Sequence, residues 1–161
     1  MSQTTGRCRL SIIVPALNEA AGIADLLADL DPMRHRGQEV IVVDGGGDDP
    51  TAAIATPRAD RVITAERGRA RQMNAGARLA SGDVLWFLHA DGRVSPKAAD
   101  AVIEACAAGC TWGRFDVRLS GRQALLRIIE RLMNLRSCLT GIATGDQGLF
   151  VTRAAFEAVG G

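Results

Sequence analysis

Short apolar runs alternate along this chain with segments whose apolar residues recur at helical spacing. The runs 40–43 and 84–88 are continuously apolar, as is typical of strands buried on both faces of a parallel sheet. Between such runs, leucine and isoleucine recur three or four positions apart, which predicts amphipathic helices. This alternation predicts an α/β protein, a three-layer α/β/α sandwich around a mostly parallel sheet.

The predicted elements fill most of the chain. Strands are predicted at 10–14, 40–43, 61–64, 84–88, 112–119 and 148–152. Helices are predicted at 18–30, 68–80, 95–109, 123–135 and 153–159, and a further helix begins at Asp49-Pro50. We expect Pro15 to end the first strand, Asn18 to cap the first helix and Pro32 to stop it. Without a repeat or linker, the 161 residues are expected to form a single domain spanning 1–161.

Composition narrows the class of protein. The formal net charge of +1 and the aromatic fraction of 4%, without tyrosine, disfavour a nucleic-acid-binding protein. The polar start does not resemble a secretory signal, and no apolar run reaches the ~18 residues that a membrane span needs. Four cysteines without a CxxC pair suit reduced thiols better than a zinc site. We therefore expect a cytoplasmic protein.

Two acids follow buried strands closely. Asp44 comes after the run 40–43 and precedes three glycines, and Asp91 comes shortly after the run 84–88. The carboxyl ends of parallel strands meet at one edge of the sheet, where open α/β sheets bind their ligands. Glycines such as Gly45 let a ligand approach the backbone closely. Together the two acids predict a site for a cation and a phosphorylated ligand; a tight turn with a solvated acid is the alternative at Asp44.

Polar and basic residues fall near the same predicted edge. The helix N-terminus expected near Asn18 offers free backbone N–H groups to a phosphate or a ribose. Arg69 and Arg71 fall in the first turn of the predicted helix 68–80, where guanidinium groups can bind a diphosphate. Each feature also has a structural alternative, an ordinary helix cap for Asn18 and a solvated helix face for the arginines.

His89 and Asp91 lie two positions apart at the end of a predicted strand. Residues at this spacing on a strand point the same way, so both side chains could reach one cation. Hard oxygen ligands favour Mg²⁺ or Mn²⁺, and Mn²⁺ tolerates an imidazole better. We expect Asp91 to be a metal ligand, whereas His89 stays open between a metal ligand, a sugar contact and a structural histidine.

Four motifs, in this order along the chain, resemble those of the family 2 glycosyltransferases, which have the GT-A fold. They are SIIVPALNE, VIVVDGGGDDPT, GRARQMNAGARLASGDVLWFLHADG and GDQGLFVTRAAFEAVGG. The chain is most similar to a bacterial subgroup in which HAD replaces the usual DxD motif, and some members of that subgroup are associated with arsenosugar biosynthesis. The resemblance implies a nucleotide-diphosphate sugar as donor and an acceptor that the motifs do not define.

The expected nucleotide-sugar-binding residues combine motif positions with the polar residues at the predicted edge. They are Pro15, Asn18, Glu19, Asp44, Gly45, Arg69, Arg71, Asn74, His89 and Asp91. The resemblance places the first three along the nucleoside, Asp44 at the base and Arg69 near the diphosphate. It places Asp91 on the last acid of the DxD motif, which is the metal ligand, and His89 on the first.

Two positions of the second motif depart from the family pattern. Gly47 stands where serine is usual and Pro50 stands where glycine is usual. Both lie in the turn after the second strand. We expect them to change the shape of that turn more than its chemistry.

The resemblance implies an inverting, metal-dependent single displacement in which a carboxylate removes the acceptor proton. In the family an acidic pair about ten residues after the VGG segment supplies this base, and the chain stops at Gly161. We therefore expect a chain truncated at its C-terminal end. Asp146 is the nearest substitute by position, for the base or for a contact on the acceptor side, and Asp116 is a weaker one.

Other functions stay open at this point. A non-catalytic nucleotide-sugar-binding fragment is compatible with the expected truncation. A nucleotidyltransferase can share the architecture, but the usual Gly-rich loop and lysine after the first strand are missing from PALNE. The amphipathic segment 123–135 suits core packing, or else peripheral contact with a membrane at its cytoplasmic face. Oligomeric state is not defined by these patterns.

Overall fold

The computed structural model describes residues 8–116, 123–140 and 147–161. The strands in this part of the chain are β1 Leu10–Ala16, β2 Glu39–Asp44, β3 Arg61–Thr64, β4 Val84–Phe87, β5 Trp112–Gly113 and β6 Phe150–Thr152. The helices are α1 Ile23–His35, α2 Thr51–Ala55, α3 Arg69–Leu79, α4 Ala98–Ala107, α5 Ala124–Thr140 and α6 Arg153–Ala158. Each of these elements overlaps a predicted segment, and most of them begin or end at other residues than predicted.

The six described strands form one sheet in the order β3-β2-β1-β4-β6-β5. The pairings of β1 with β2, β1 with β4 and β2 with β3 are parallel. The strand β6 runs antiparallel to both β4 and β5. The prediction of a mostly parallel sheet is therefore confirmed. The carboxyl ends of β1, β2, β3 and β4 all lie at one edge.

Helices cover both faces of the sheet. Alternate residues of β1, β2 and β4 point to one side, where they pack against apolar residues of α1, α2 and α4. The other set of alternate residues, which includes Ile13, Val43 and Phe87, packs against α3 and α6. The predicted three-layer α/β/α sandwich is thus confirmed. Every helix in the described part of the chain is too short or too polar to cross a membrane.

The first strand continues through Pro15, which we expected to end it. Pro15 pairs in register with Val43 of β2. The carbonyl of Ile13 accepts a bond from Leu88 N–H, so Ile13 and Pro15 turn their backbone groups toward β4. Pairing with β4 stops at Phe87, opposite Ile13. The N–H that proline lacks would therefore face a position where β4 has already ended, which is why proline is tolerated there.

The first helix begins later and ends later than its sequence predicts. It starts at Ile23, so Asn18 does not cap it, and it continues past Pro32 to His35. Proline removes one intrahelical bond. Buried residues on both sides of it, Leu30 and Met33, pack against the sheet and keep the helix continuous.

Candidate functional site

The ends of β1 and β2 are tied together by side chains. Asn18 adopts a left-handed backbone conformation with φ of 56°, and its Oδ1 accepts a 2.9 Å hydrogen bond from Asp48 N–H. A Cβ atom on Gly47 would overlap with Asn18 Oδ1. The glycine is therefore required by the position of Asn18, and the space bounded by the ends of β1, β2 and β4 is called the strand-end crevice below.

Asp44 is the last residue of β2 and therefore borders the strand-end crevice. Its residue exposure is 8%, and its Oδ1 is buried without a hydrogen-bond partner among the described residues. An unmatched buried carboxylate oxygen is costly, because it has lost water without gaining a donor. It is therefore available to accept a hydrogen bond from an N–H or O–H group of a ligand.

The loop after β1 is anchored to the start of α2. Glu19 N–H donates to Thr51 Oγ1 at 2.9 Å, and Ala20 N–H donates to Asp49 Oδ2 at 2.9 Å. Asp49 also accepts from the backbone N–H of Thr51 at 3.1 Å. Because α2 begins at Thr51, its N-cap position is held by Pro50, and the expectation of an N-cap at Asp49 with proline in the first helical position is wrong. Thr51 was not predicted as a site residue. These bonds hold Glu19 at the strand-end crevice.

Glu19 shares this crevice with Asp91 and Arg69. Burial raises the pKa of the Glu19 carboxyl above its usual value, and the negative charges of Asp91 and Asp49 raise it further. The nearby guanidinium of Arg69 lowers it in part. Gly22 packs against Asp91, because its Cβ position would lie 3.6 Å from Asp91 Cα. The structure thus brings together three of the predicted residues, two carboxylates and one arginine.

His89 and Asp91 lie on a turn and not on a strand. The strand β4 ends at Phe87, and Gly92 N–H donates to the carbonyl of His89 at 3.2 Å. The strand period that would point both side chains the same way therefore does not apply. His89 lines a cavity of about 480 Å³, called the His89 cavity below, whereas Asp91 is exposed beside Glu19.

The His89 cavity has an aromatic wall and a polar rim. Trp86 Nε1–H donates to the carbonyl of Gly148 at 3.1 Å, and the ring of Phe115 lies 5.3 Å from that of Trp86. Asp116 lines the same cavity and pairs with Arg114 at 2.6 Å. Asp146, the predicted base or acceptor contact, lies outside the described residues.

Other predicted residues of α3 face different surroundings. Arg71 forms an ion pair with Glu66, and this pair lines a small surface pocket away from Glu19. Asn74 lines an apolar cavity of about 600 Å³ between α3 and α6 and lies next to Gly161. The contacts described join neither residue to Glu19, although Arg69 lines the same cavity as Asn74. Of the two arginines predicted for a diphosphate, Arg69 is the one beside Glu19.

Gln72 was missed by the sequence interpretation. Its side-chain amide donates to the carbonyls of Ala16 and Val43 at the ends of β1 and β2. One signal was available in the sequence. Gln72, Gly76 and Ala77 fall on one face of α3, so a polar amide occupies the face that packs on the sheet.

The donor set at the strand-end crevice suits a hard divalent cation only in part. Within the described residues there is no group of three or more His, Cys, Asp or Glu side chains able to hold a metal ion. Asp91 and Glu19 both offer carboxylate oxygens. The two groups lie close enough for the charge of Asp91 to raise the pKa of Glu19. Mg²⁺ is commonly bound by one or two carboxylates together with substrate phosphates and water. The residues present fit a metal bound in that way.

A mostly parallel sheet with acids gathered at its carboxyl edge defines a ligand-binding protein of the open α/β class. The chain matches the sequence profile of "Glycosyl transferase family 2" over residues 11–154, and it belongs to that family. The resemblance read from the four motifs is confirmed at the level of the family. The HAD subgroup and the association with arsenosugar biosynthesis stay predictions.

Similar proteins agree with this assignment. An uncharacterized glycosyltransferase of Mycobacterium tuberculosis, Rv1514c, is 36% identical over 102 residues, which are 60% of this chain and 39% of the relative. A mannosyltransferase from Pyrobaculum calidifontis, solved with GDP-Man and Mn²⁺, superposes with a TM-score of 0.77 at 24% identity over 98% of this chain and 48% of the other. Glucosyl-3-phosphoglycerate synthase from M. tuberculosis, solved with Mn²⁺ and UDP, superposes with a TM-score of 0.70 at 21% identity. The match covers 92% of this chain and 58% of the synthase.

These likenesses establish the GT-A fold. The chain spans less than two thirds of the length of each of these three proteins.

Proposed function

We propose that this chain binds a nucleotide-diphosphate sugar in the strand-end crevice and forms the donor half of a glycosyltransferase. The observation that carries the proposal is the Asp44 carboxylate. One of its oxygens is buried without a donor among the described residues, at the same edge of the sheet as the Glu19, Asp91 and Arg69 cluster. A nucleoside supplies a donor for Asp44, and a diphosphate supplies negative charge for Arg69.

Each crevice residue has a proposed role that follows from its chemistry. Asp44 accepts a hydrogen bond from the base, and the loop that carries Pro15 and Asn18 borders the nucleoside. Arg69 binds a diphosphate oxygen. Asp91 holds a divalent cation, Mg²⁺ or Mn²⁺, and Glu19 lies beside it. When bound, such a cation would neutralise charge on the leaving nucleoside diphosphate.

Two structural neighbours support the choice of ligand. The mannosyltransferase was solved with GDP-Man and Mn²⁺, and the glucosyl-3-phosphoglycerate synthase with UDP and Mn²⁺. Nucleotide-sugar binding with a divalent metal is thus associated with this fold.

The acceptor is proposed to approach from the His89 cavity. The turn from His89 to Gly92 lines this cavity and also carries Asp91, so a sugar held near Asp91 would lie close to the cavity. In an inverting displacement, the acceptor oxygen bonds to the anomeric carbon as the bond to the phosphate oxygen breaks. A carboxylate takes the hydroxyl proton. Asp146 is proposed for this side of the reaction, and Asp116 is the described acid on the cavity wall.

Calorimetric titration with UDP, GDP and TDP, with and without Mn²⁺, tests the donor site. We expect at least one nucleoside diphosphate to bind, and Asp91→Asn to remove the effect of Mn²⁺ on affinity. Asp100→Asn is the matched control, because Asp100 is an exposed acid of α4 that pairs with Arg36 at the end of α1. If none of the three nucleotides bound to the folded protein, the proposal would be wrong.

Measuring sugar release separates the enzyme from its two alternatives. Metal-dependent binding without any hydrolysis or transfer would favour a nucleotide-sugar-binding fragment. A nucleotidyltransferase would instead release pyrophosphate from a nucleoside triphosphate and a sugar phosphate. Membership of the glycosyltransferase family supports the transferase over the nucleotidyltransferase.

We further propose a cytoplasmic location with contact between α5 and the inner face of the membrane. Leu125, Ile128 and Leu132 share one helical face and are 63%, 53% and 60% exposed, so core packing does not account for them. The only acid of α5, Glu130, is buried and pairs with Arg127, whereas Arg131 is exposed. An apolar face flanked by basic charge is complementary to anionic lipid.

Flotation with anionic liposomes at low salt tests this contact. We expect the protein to float with the liposomes, and its recovery only in the soluble fraction would contradict the contact.

A further inference from the structure

Gln72 is a buried polar residue that lies outside the predicted site. It belongs to the first half of α3 and is 4% exposed, although the three residues before it on this helix, 69–71, are exposed. Burial of an uncharged amide is tolerated when its hydrogen-bonding groups are matched. The position of those partners is informative, because they belong to two different strands.

The side-chain N–H₂ group of Gln72 bridges the carboxyl ends of β1 and β2. It donates to the carbonyl of Ala16 at 2.8 Å and to the carbonyl of Val43 at 2.9 Å. The carbonyl of Ala16 also accepts from Gly45 N–H at 2.9 Å. Val43 directly precedes Asp44, and Ala16 begins the loop that carries Asn18. One amide therefore fixes both backbone segments that border the crevice.

Two glycines make this bridge possible. A Cβ on Gly76, one turn after Gln72, would lie 2.5 Å from Ile13 Cγ2, so only glycine lets α3 approach the sheet this closely. A Cβ on Gly45 would lie 3.2–3.3 Å from the Gln72 carboxamide, which is tighter than ordinary van der Waals contact. The helix, the amide and the turn after β2 are thus fitted to one another.

We propose that Gln72 is a positioning residue for nucleotide binding. It acts through the backbone of Ala16 and Val43, and it holds Asp44 and the loop after β1 at the separation that the nucleoside requires. It does not touch the nucleotide. This inference rests on the proposed donor site and adds to it a residue that sets the geometry from beneath the sheet edge.

The chain contains a matched control at the opposite end of the same strand. Gln38 accepts a 2.9 Å hydrogen bond through Oε1 from Leu10 N–H, at the start of β1. Gln72→Met and Gln38→Met both replace a glutamine that bonds to the β1 backbone with an apolar residue of similar length. A purely structural role predicts a loss of stability in both variants and no specific loss of nucleotide affinity in either.

The test compares nucleoside diphosphate affinity by calorimetry, in the presence of Mn²⁺, at a temperature where all variants are folded. We expect Gln72→Met to raise the dissociation constant about tenfold, which corresponds to about 1.4 kcal/mol, and Gln38→Met to leave it within about twofold. Gln72→Asn, which keeps the amide but is one methylene shorter, is expected to fall between wild type and Gln72→Met. Amide exchange should become faster at Gly45 in Gln72→Met and stay unchanged there in Gln38→Met.

The outcomes separate this inference from the proposed function. If wild type bound no nucleoside diphosphate, the donor site itself would be wrong. If wild type bound and Gln72→Met bound equally well, the positioning role alone would be overturned. Should Gln72→Met fail to fold, Gln72→Asn decides: wild-type affinity in that variant contradicts the proposal, and weakened affinity in a folded protein supports it.

Discussion

The side-chain oxygen of Asn18 accepts a 2.9 Å hydrogen bond from the backbone N–H of Asp48. This bond joins the loop after β1 to the turn after β2, and it occupies the space where a side chain on Gly47 would otherwise lie. A serine at position 47 would therefore overlap with Asn18 in its present conformation.

Restoring serine at position 47 is expected to destabilise the protein. The added Cβ overlaps with Asn18 Oδ1, so Gly47→Ser should cost about 1–3 kcal/mol of unfolding free energy. Chemical denaturation measures this cost. The double variant with Asn18→Gly should recover most of it, because glycine removes the overlapping atom and tolerates the φ of 56°. An equal cost in both backgrounds would show that the two positions are not coupled.

Replacing Asp44 with asparagine is expected to weaken nucleotide binding without lowering the stability of the folded protein. Asp44 Oδ1 has no donor among the described residues, so the folded protein loses no hydrogen bond there. A hydrogen bond from a charged group contributes about 1.5–3 kcal/mol, so affinity for a nucleoside diphosphate should fall roughly 10- to 100-fold. Calorimetry and thermal unfolding measure the two effects.

Asp60→Asn is the matched control for this substitution. Asp60 bonds to Arg34 Nε and to Val40 N–H, both at 2.8 Å, at the other end of β2. We expect the converse result, a loss of stability with unchanged affinity. Equal affinity in wild type and Asp44→Asn would contradict a role for Asp44 in binding.

Glu19→Gln is expected to stabilise the protein at neutral pH. The folded-state pKa of Glu19 is raised by burial and by Asp91 and Asp49, so the folded protein binds this proton more tightly than the unfolded chain. Stability therefore falls as pH rises from the usual carboxyl value of 4.5 through the raised one. The variant should be more stable than wild type by about a few tenths of a kcal/mol at pH 7. Unfolding curves from pH 4 to pH 7 should converge at the acid end; a constant difference would contradict this origin.

Glu39, the first residue of β2, gives the opposite dependence of stability on pH. Burial alone would raise the pKa of Glu39, but hydrogen bonds from Ser11 and Ser81 and the charge of Arg61 outweigh burial and lower it. Its contribution to stability is thus present at neutral pH and is lost as pH falls from 4.5 through the lowered pKa. Glu39→Gln should cost about 1–3 kcal/mol at pH 7 and less in acid. Nucleotide affinity should not change, since this cluster lies at the far end of β1 and β2.

Much of the fold could be predicted because its strands are buried on both faces. Every residue of Val40–Val43 is fully buried, so continuous apolarity marked the strand without ambiguity. Asp44 and Asp91 could be placed at one edge because parallel strands align their ends. Local steric rules failed where packing outweighed them, at Pro15 inside β1 and at Pro32 inside α1.

The site was less predictable where it depends on partners distant in sequence. The bridge from Gln72 spans 56 positions to Ala16, and no local pattern encodes such a contact. His89 and Asp91 were assigned a common direction because the strand was expected to reach them. The strand ends at Phe87 instead, and the turn that follows sends one residue to the His89 cavity and leaves the other beside Glu19.

The turn from His89 to Gly92 also separates, in sequence order, the residues of the strand-end crevice from most described residues of the His89 cavity. The strand-end crevice is built by residues up to Asp91, whereas most described residues of the His89 cavity follow that position, among them Lys97, Phe115 and Asp116. Recombination or insertion downstream of Gly92 can therefore alter what enters the cavity and leave the crevice residues untouched. Descendants of one ancestral sequence could keep the crevice residues and acquire a different cavity by exchanging one continuous stretch of coding sequence.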